Sequence, residues 1–321
     1  MDQFIHKWFS AIRFGRPRNF GRMHIFPIYH DKTGGPEYLT LGEALKSGLL
    51  TITEVNESGS VPELKAVNRA ELPILILDGE QLVGSKQDRV TNATILVPPM
   101  EAITIPVSCT EAGRWTYTSR AFTEAEFVMP AEIRKRKAGY IAESLKGGRG
   151  FEGDQGAVWR DVGEMNEKAG AKSVSGAMKD GFEAKRHTIE EYRTAFKKMR
   201  RQKGVLVAIG GRVVALEMVS SERAYRQLHP KIIRSYALDA LLYEEQGSGE
   251  VNNATPWDFL GGPMASCTCE AFPSVGLGKD VRVSGGEVTG SALVYQETPV
   301  HLSIFTGHRP EIRESYTHVE E

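Results

Sequence analysis

Segments with strand character crowd both ends of this chain, and helical periodicity is confined to its middle. That order excludes the strict β-α alternation of a doubly wound parallel sheet. It points to an α+β fold with mixed or antiparallel sheets. Strand signals are densest between residues 74 and 109. Residues 74–77, Ile-Leu-Ile-Leu, are continuously apolar, which marks a strand buried on both faces. Asp78-Gly79 then signals a tight turn, and Leu82-Val83 resume the chain beyond it. Residues 94–97 read as another strand, stopped by Pro98-Pro99. In residues 103–109, Ile103, Ile105, Val107 and Cys109 share one face, and Pro106 requires an edge position or a bulge.

The remaining elements follow from caps and spacing. Residues 1–35 read as irregular, with one strand at 24–28. Thr40 opens a helix through a capping box with Glu43, and Gly48 ends it. Residues 50–55 alternate as a half-buried strand. Helices are expected at 130–145, with Pro130 as first residue, and at 155–169, with a short one to 179 capped by Ser173. Another is expected at 188–203, where Ile189, Tyr192, Phe196 and Met199 recur at helical spacing. Gly210-Gly211-Arg212 joins strands 205–209 and 213–219 into a β-hairpin. A long helix over 222–245 must be kinked or split by Pro230. A loop at 252–263 precedes strands at 265–272, 281–283, 291–295 and 300–305, and a frayed polar tail at 307–321. The expected organisation is one compact α+β domain over residues 1–321. The alternative is two half-domains divided at the flexible-looking run 146–150, because 75–83 and 206–214 both read as strand, glycine turn, strand.

Charge and composition exclude several classes. Forty Lys+Arg against 41 Asp+Glu leave a net charge of −1, which argues against nucleic acid or an anionic membrane as partner. The basic runs at 134–137 and 197–201 lie on predicted helices and read as solvated faces. No run of 18 apolar residues exists, and the first residues lack the core of a signal peptide. Three cysteines suit a reducing compartment, so a cytoplasmic location is expected. Cys267 and Cys269 lack companion ligands at zinc spacing and fall in a row with Ala265 and Ala271, so a packed core face is preferred to a metal site. Cys109 reads as a buried strand cysteine rather than a nucleophile. No metal and no cofactor are expected.

One polar cluster stands out against this background. Asp78, Glu80, Lys86, Gln87, Asp88, Arg89 and Asn92 fill one connector, and Glu111, Arg114 and Trp115 follow the next strand pair. Arginine forks onto phosphate, and tryptophan stacks on a base. Glu80 and Glu111 could orient ribose hydroxyls or serve as acid and base. Lys86, Gln87, Arg89, Asn92, Arg114 and Trp115 are the candidate ligand-binding residues. The competing reading is a salt-bridge network that locks loop to sheet.

The runs 38–44, 54–64, 77–89 and 107–115 resemble one bacterial family, the ADP-ribosyl-glycohydrolase- and rhodanese-phosphatase-associated proteins. The segments 155–159, 207–216, 234–241 and 300–302 are similar to its later blocks. The resemblance extends from about residue 25 to 305, with 86–89 and 109–115 its most specific parts. It implies a role in or beside ADP-ribose and NAD metabolism. That means either binding or processing an ADP-ribose-like nucleotide, or serving as a non-catalytic partner of NAD-processing enzymes. In the family pattern an Asn often stands where this chain has Asp88, and the added negative charge argues against phosphate contact there.

Overall fold

In the computed structural model, which describes residues 8–31, 35–242 and 256–307, three sheets and seven helices form an α+β fold with the helices mainly in the middle of the chain. The largest sheet has nine strands drawn from both ends of the sequence. They are β1 (Ile12–Phe14), β2 (Arg18–Phe20), β3 (Met23–His30), β13 (Gly204–Ile209), β14 (Arg212–Val219), β15 (Thr268–Pro273), β16 (Lys279–Gly285), β17 (Val288–Tyr295) and β18 (Thr298–Phe305). Their order is β1-β3-β13-β14-β18-β17-β16-β15, with β2 on β3. A six-stranded sheet has the order β12-β8-β9-β11-β6-β5. Its members are β5 (Leu50–Glu54), β6 (Glu63–Asn68), β8 (Glu80–Gly84), β9 (Arg89–Thr91), β11 (Ala102–Cys109) and β12 (Phe122–Val128). The third sheet joins β4 (Leu39–Thr40), β7 (Ile74–Ile76) and β10 (Ile95–Val97), with β4 and β7 parallel.

The helices are α1 (Leu41–Lys46), α2 (Ala131–Lys146), α3 (Gln155–Ala169), α4 (Met178–Ala184), α5 (Arg186–Ala195), α6 (Glu222–Leu242) and α7 (Pro256–Gly261). Thr40 and Glu43 make the reciprocal capping box that begins α1. Pro230 lies inside α6, which runs on as one helix on both sides of it. Pro106 sits where β11 changes partner, leaving β6 for β9, a position that tolerates its missing N–H.

Several expectations need correction. The first 31 residues hold β1 and β2 besides β3, short strands without a strong apolar alternation. Ser173 begins no helix, because α4 starts at Met178; its hydroxyl accepts from Ala177 N in the preceding turn. α5 ends at Ala195, and Met199 is exposed. Pro256–Gly261 is helix where a loop is expected. Cys267 is buried, but Ala265 and Ala271 are exposed, so their row is no core face. The expected ends at 243–245, the loop residues 252–255 and the tail beyond 307 lie outside the described residues.

The turn at Asp78-Gly79 does not close a hairpin. β7 pairs with β10 and β4, whereas β8 pairs with β12 and β9, so the turn carries the chain from one sheet to another. Gly79 has φ +78°, and a Cβ there would run into the Arg134 side chain. Gly210 and Gly211, both at positive φ, do close the β13–β14 hairpin. The likeness between the two segments therefore ends at the turn.

Candidate functional site

Strand alternation delivers the site. On β5, Leu50, Ile52 and Glu54 face inward. On β11, Ile105, Val107 and Cys109 are buried, and Cys109 is in register with Arg89 of β9. Leu50, Ile52, Ile105 and Val107 belong to one apolar core with Leu64, Leu82, Ile74 and Ile76. Glu54 and Cys109 thus continue two apolar rows, and Arg89 stands beside Cys109 in register.

Arg89 is wholly buried, at 0% exposure. Its Nη1 donates to Gln87 Oε1 at 2.8 Å. Its Nε and Nη2 have no hydrogen-bond acceptor among the described residues. The Glu54 carboxylate is near, with Oε1 3.8 Å from Nη2, and its Oε2 has no donor among the described residues. Buried groups this incompletely paired are uncommon, because each forfeits its hydration without recovering a bond. Nε and Nη2 form one edge of the guanidinium, the fork that grips an oxyanion with two parallel bonds. Trp115, 44% exposed, covers the site with its ring centroid 5.3 Å from Arg89 Cζ. Lys86 Nζ lies 5.6 Å from the same ring and 5.0 Å from that of the exposed Tyr117. Burial pushes the Cys109 thiol up to about 11 against the pull of Arg89, so the thiol stays protonated at neutral pH.

Arg114 is the opposite case. Its Nε and Nη2 reach Glu111 Oε2 at 2.8 and 2.6 Å, and Nη2 also reaches Asp88 Oδ1 at 3.0 Å. Its Nη1 donates to the Ser85 and Thr116 carbonyls at 2.8 and 2.9 Å. Glu111 further accepts from the Ser175 hydroxyl at 2.8 Å. Burial would raise the Glu111 carboxyl, but the Arg114 and Ser175 bonds outweigh it and hold it below its usual range. Asp88 also accepts from Gly84 N at 2.9 Å and from Lys179 Nζ at 3.1 Å. These residues form a closed clasp over the loop at 84–88.

The fold therefore brings together Lys86, Gln87, Arg89, Glu111, Arg114 and Trp115. Gln87 links the two halves, donating to the Glu111 carbonyl while accepting from Arg89. Glu80 and Asn92 bond elsewhere. Glu80, fully buried, accepts from Leu77 N at 3.0 Å and from Lys231 Nζ at 2.6 Å. Asn92 accepts from the Ser108 hydroxyl at 2.9 Å and donates to the Phe151 carbonyl at 3.2 Å. Glu54 was missed, although its place on the inward face of Leu50 and Ile52 was a usable signal. Ser175 and Lys179 arrive from the α4 region and left none.

The basic run at 134–137 is not a solvated face. Arg134 and Lys137 are buried, one turn apart on the face of α2 turned inward. Arg134 binds both oxygens of Glu217, and Lys137 bonds Asp78 and the Thr91 carbonyl. A charge run in sequence cannot show that its counter-charges lie on β14 and at the 78–79 turn. The other run, at 197–201, lies beyond the end of α5 and is mostly exposed. Among the described residues, no helix is long and apolar enough to cross a membrane.

A separate cavity of about 490 Å³ lies between the first turn of α2, the β13–β14 hairpin, α7 and the end of β18. No curated protein and no solved structure matches the chain. One family model does, over residues 11–305, and its description is "ARG and Rhodanese-Phosphatase-superfamily-associated Protein domain".

Proposed function

The chain belongs to this family, which is associated with ADP-ribosylglycohydrolase and rhodanese-like phosphatase, and from that premise we propose that it binds ADP-ribose, NAD or a related nucleotide in the cytoplasm. One observation carries the reading: the Nε–Nη2 edge of a wholly buried Arg89 has no acceptor among the described residues and lies beneath a half-exposed tryptophan. The edge suits one phosphate of a diphosphate, Trp115 suits a base or ribose face, and Glu54 suits a sugar hydroxyl. Binding is favoured over processing because the nucleophile beside Arg89, the Cys109 thiol, is held protonated. Arg114 takes the role of a positioning residue, because its nitrogens are engaged with Glu111, Asp88 and backbone carbonyls.

A thermal-shift titration tests this. ADP-ribose, NAD and AMP should raise the unfolding midpoint of the native chain and leave that of an Arg89→Met/Glu54→Gln double variant unmoved. No shift with any of the three at millimolar concentration would refute the reading. A second reading, a non-catalytic partner of ADP-ribose-processing enzymes, is favoured by the completeness of the Arg114 clasp and by the exposed Trp115 and Tyr117 beside it. It predicts co-elution with an ADP-ribosylglycohydrolase, lost on Trp115→Ala, with no nucleotide shift.

A further inference from the structure

Arg89 is wholly buried, so its empty edge cannot meet a phosphate while the residues around it stay where they are. A short turn stands in the way. Residues 55–61 carry the chain from β5 to β6, and none of them is buried. Within the turn Gly59 has φ +77°, a conformation that a side chain disfavours. A Cβ on Gly59 would lie 3.1 Å from Lys86 Cδ, 3.3 Å from Trp115 Cζ2 and 3.5 Å from Glu54 Oε2. The turn therefore fills the space between the tryptophan and the Glu54 carboxylate, which the nucleotide reading gives to a ribose.

Its attachment is slight. Gly59 N donates to the Asn56 carbonyl at 3.1 Å within the turn itself. Two side chains hold the turn to the site. Tyr117 Oη donates to the Glu57 carbonyl at 3.2 Å, and Lys86 Nζ donates to the Ser58 carbonyl at 2.7 Å, both exposed bonds. Beyond it the chain is fixed again, where Val107 N donates to the Pro62 carbonyl at 2.9 Å. A segment with no buried side chain, held by exposed hydrogen bonds between two fixed ends, belongs to the low-stability end of a fold.

We propose that the 56–59 turn is an autoinhibitory plug, seated on the Arg89–Trp115 site and displaced by the nucleotide that binds there. The inference rests on the nucleotide reading and adds its regulation. Lys86 is the switch: its ammonium, released from the Ser58 carbonyl, takes the second phosphate of a diphosphate whose first lies on Arg89. The free chain is then mostly closed, and its apparent affinity is the open-state affinity reduced by the fraction open.

Limited proteolysis of the full chain with a glutamate-specific protease reads the plug directly. The scissile bond after Glu57 contains the carbonyl that Tyr117 holds, so it is cut only when the turn swings out; the exposed Glu152 is the reference site. ADP-ribose should speed the cut after Glu57 by about tenfold or more and leave that after Glu152 unchanged. Tyr117→Phe removes one tether and keeps the ring beside Lys86. Without ligand it should speed the Glu57 cut about threefold, the worth of one exposed hydrogen bond. It should also tighten ADP-ribose binding by the same factor, because both follow the fraction open. A side chain that merely touched the ligand would weaken binding when truncated. A midpoint shift by ADP-ribose with Glu57 protected or unaffected would overturn the plug and leave nucleotide binding in place. So would native-like cutting of Tyr117→Phe, or binding no tighter than in the native chain. If ADP-ribose moves neither the midpoint nor the Glu57 cut, the nucleotide reading fails and the plug falls with it.

Discussion

Arg89 and Arg134 are equally buried, each at 0% exposure, yet they are held in opposite ways. Arg134 grips both oxygens of Glu217 at 2.8 and 2.9 Å. The same carboxylate accepts from the Tyr236 hydroxyl at 2.8 Å, with His301 Nε2 3.4 Å away. His301 Nδ1 meets the Thr94 hydroxyl at 2.7 Å, and that hydroxyl accepts from Asp78 N at 3.2 Å. The network ties α2, α6, β14 and β18 to the turn between β7 and β8. Of the Arg134 guanidinium, Nε alone lacks a partner among the described residues. Around Arg89 two guanidinium nitrogens and a carboxylate oxygen lack partners among the described residues, and the ion pair to Glu54 is 3.8 Å long. Burial alone therefore does not separate a strut from a binding group. The state of the bidentate fork does, because a guanidinium whose two Nη atoms already grip a carboxylate has no fork to offer a ligand, whereas one with an empty Nε–Nη2 edge gains charged bonds.

The largest effect should come from breaking the saturated pair. Arg134→Met leaves the Glu217 charge buried beside only Tyr236 and His301, and should cost about 3–5 kcal/mol in urea unfolding. A loss below about 1 kcal/mol would show that the network is no strut. Next comes the clasp: Arg114→Ala strips Glu111 and Asp88 of their guanidinium but leaves them Ser175 and Lys179, so a loss of about 2–3 kcal/mol is expected. If the clasp only positions the loop, nucleotide affinity should fall far less than in an Arg89 variant.

How much of this could be read from the sequence differs between the two arginines. The strand rows were legible, since alternation on β5 and β11 is a local signal, and the cap at Thr40 needs only four adjacent residues. Arg89, Gln87, Glu111, Arg114 and Trp115 lie within one stretch, so their convergence was legible too. The partners of Arg134 were not. Glu217 stands 83 positions away and His301 further still, and only the sheet order β13-β14-β18 brings them to α2. For the same reason the turn at Gly79 was legible and its consequence was not. A glycine at positive φ fits a hairpin and a sheet-to-sheet crossing equally well. Which groups around Arg114 are spent and which around Arg89 are free depends on Ser175, Lys179 and Glu54, all delivered by tertiary packing.

The acid limb of the stability curve sharpens the contrast. Burial pushes the Glu217 carboxyl up, but Arg134 and His301 more than offset it and hold the group well below its usual 4.5. A depressed carboxylate contributes stability that is present above pH 4.5 and lost as pH falls towards the folded value. Between pH 5 and pH 3 this group should remove on the order of 2 kcal/mol, since each unit is worth about 1.4 kcal/mol. In Arg134→Met the carboxyl loses its guanidinium while staying buried, so the acid loss from this group between pH 5 and pH 3 should shrink or vanish, and any gain on acidification should fall mainly above pH 4.5. Parallel curves for the two proteins would mean that Glu217 is not the group being titrated.

The smallest change in stability, and the most telling, is expected at the other arginine. Arg89→Met alone would leave Glu54 buried without a cation, so it confounds binding with fold. Arg89→Met/Glu54→Gln removes both charges at once; Gln keeps the shape of Glu54, and Met keeps the unbranched apolar stem of Arg89 without its guanidinium. A buried ion pair recovers its desolvation only when geometry is good and the remaining lone pairs are filled. Here the separation is 3.8 Å and three atoms are unfilled, so replacing the pair should alter unfolding free energy by no more than about 1 kcal/mol, in either direction. Trp115 loses the Arg89 guanidinium beneath it but keeps Lys86 Nζ 5.6 Å from its ring, and Lys86 Nζ is held by the Ser58 carbonyl at 2.7 Å and by neither altered group. The stacking surface therefore survives while the oxyanion fork is gone. If unfolding is unchanged and ADP-ribose no longer shifts the midpoint, the unsatisfied edge is a binding group and not a defect of packing. If the double variant instead loses as much stability as Arg134→Met, the two arginines are the same kind of strut, and the contrast between them fails.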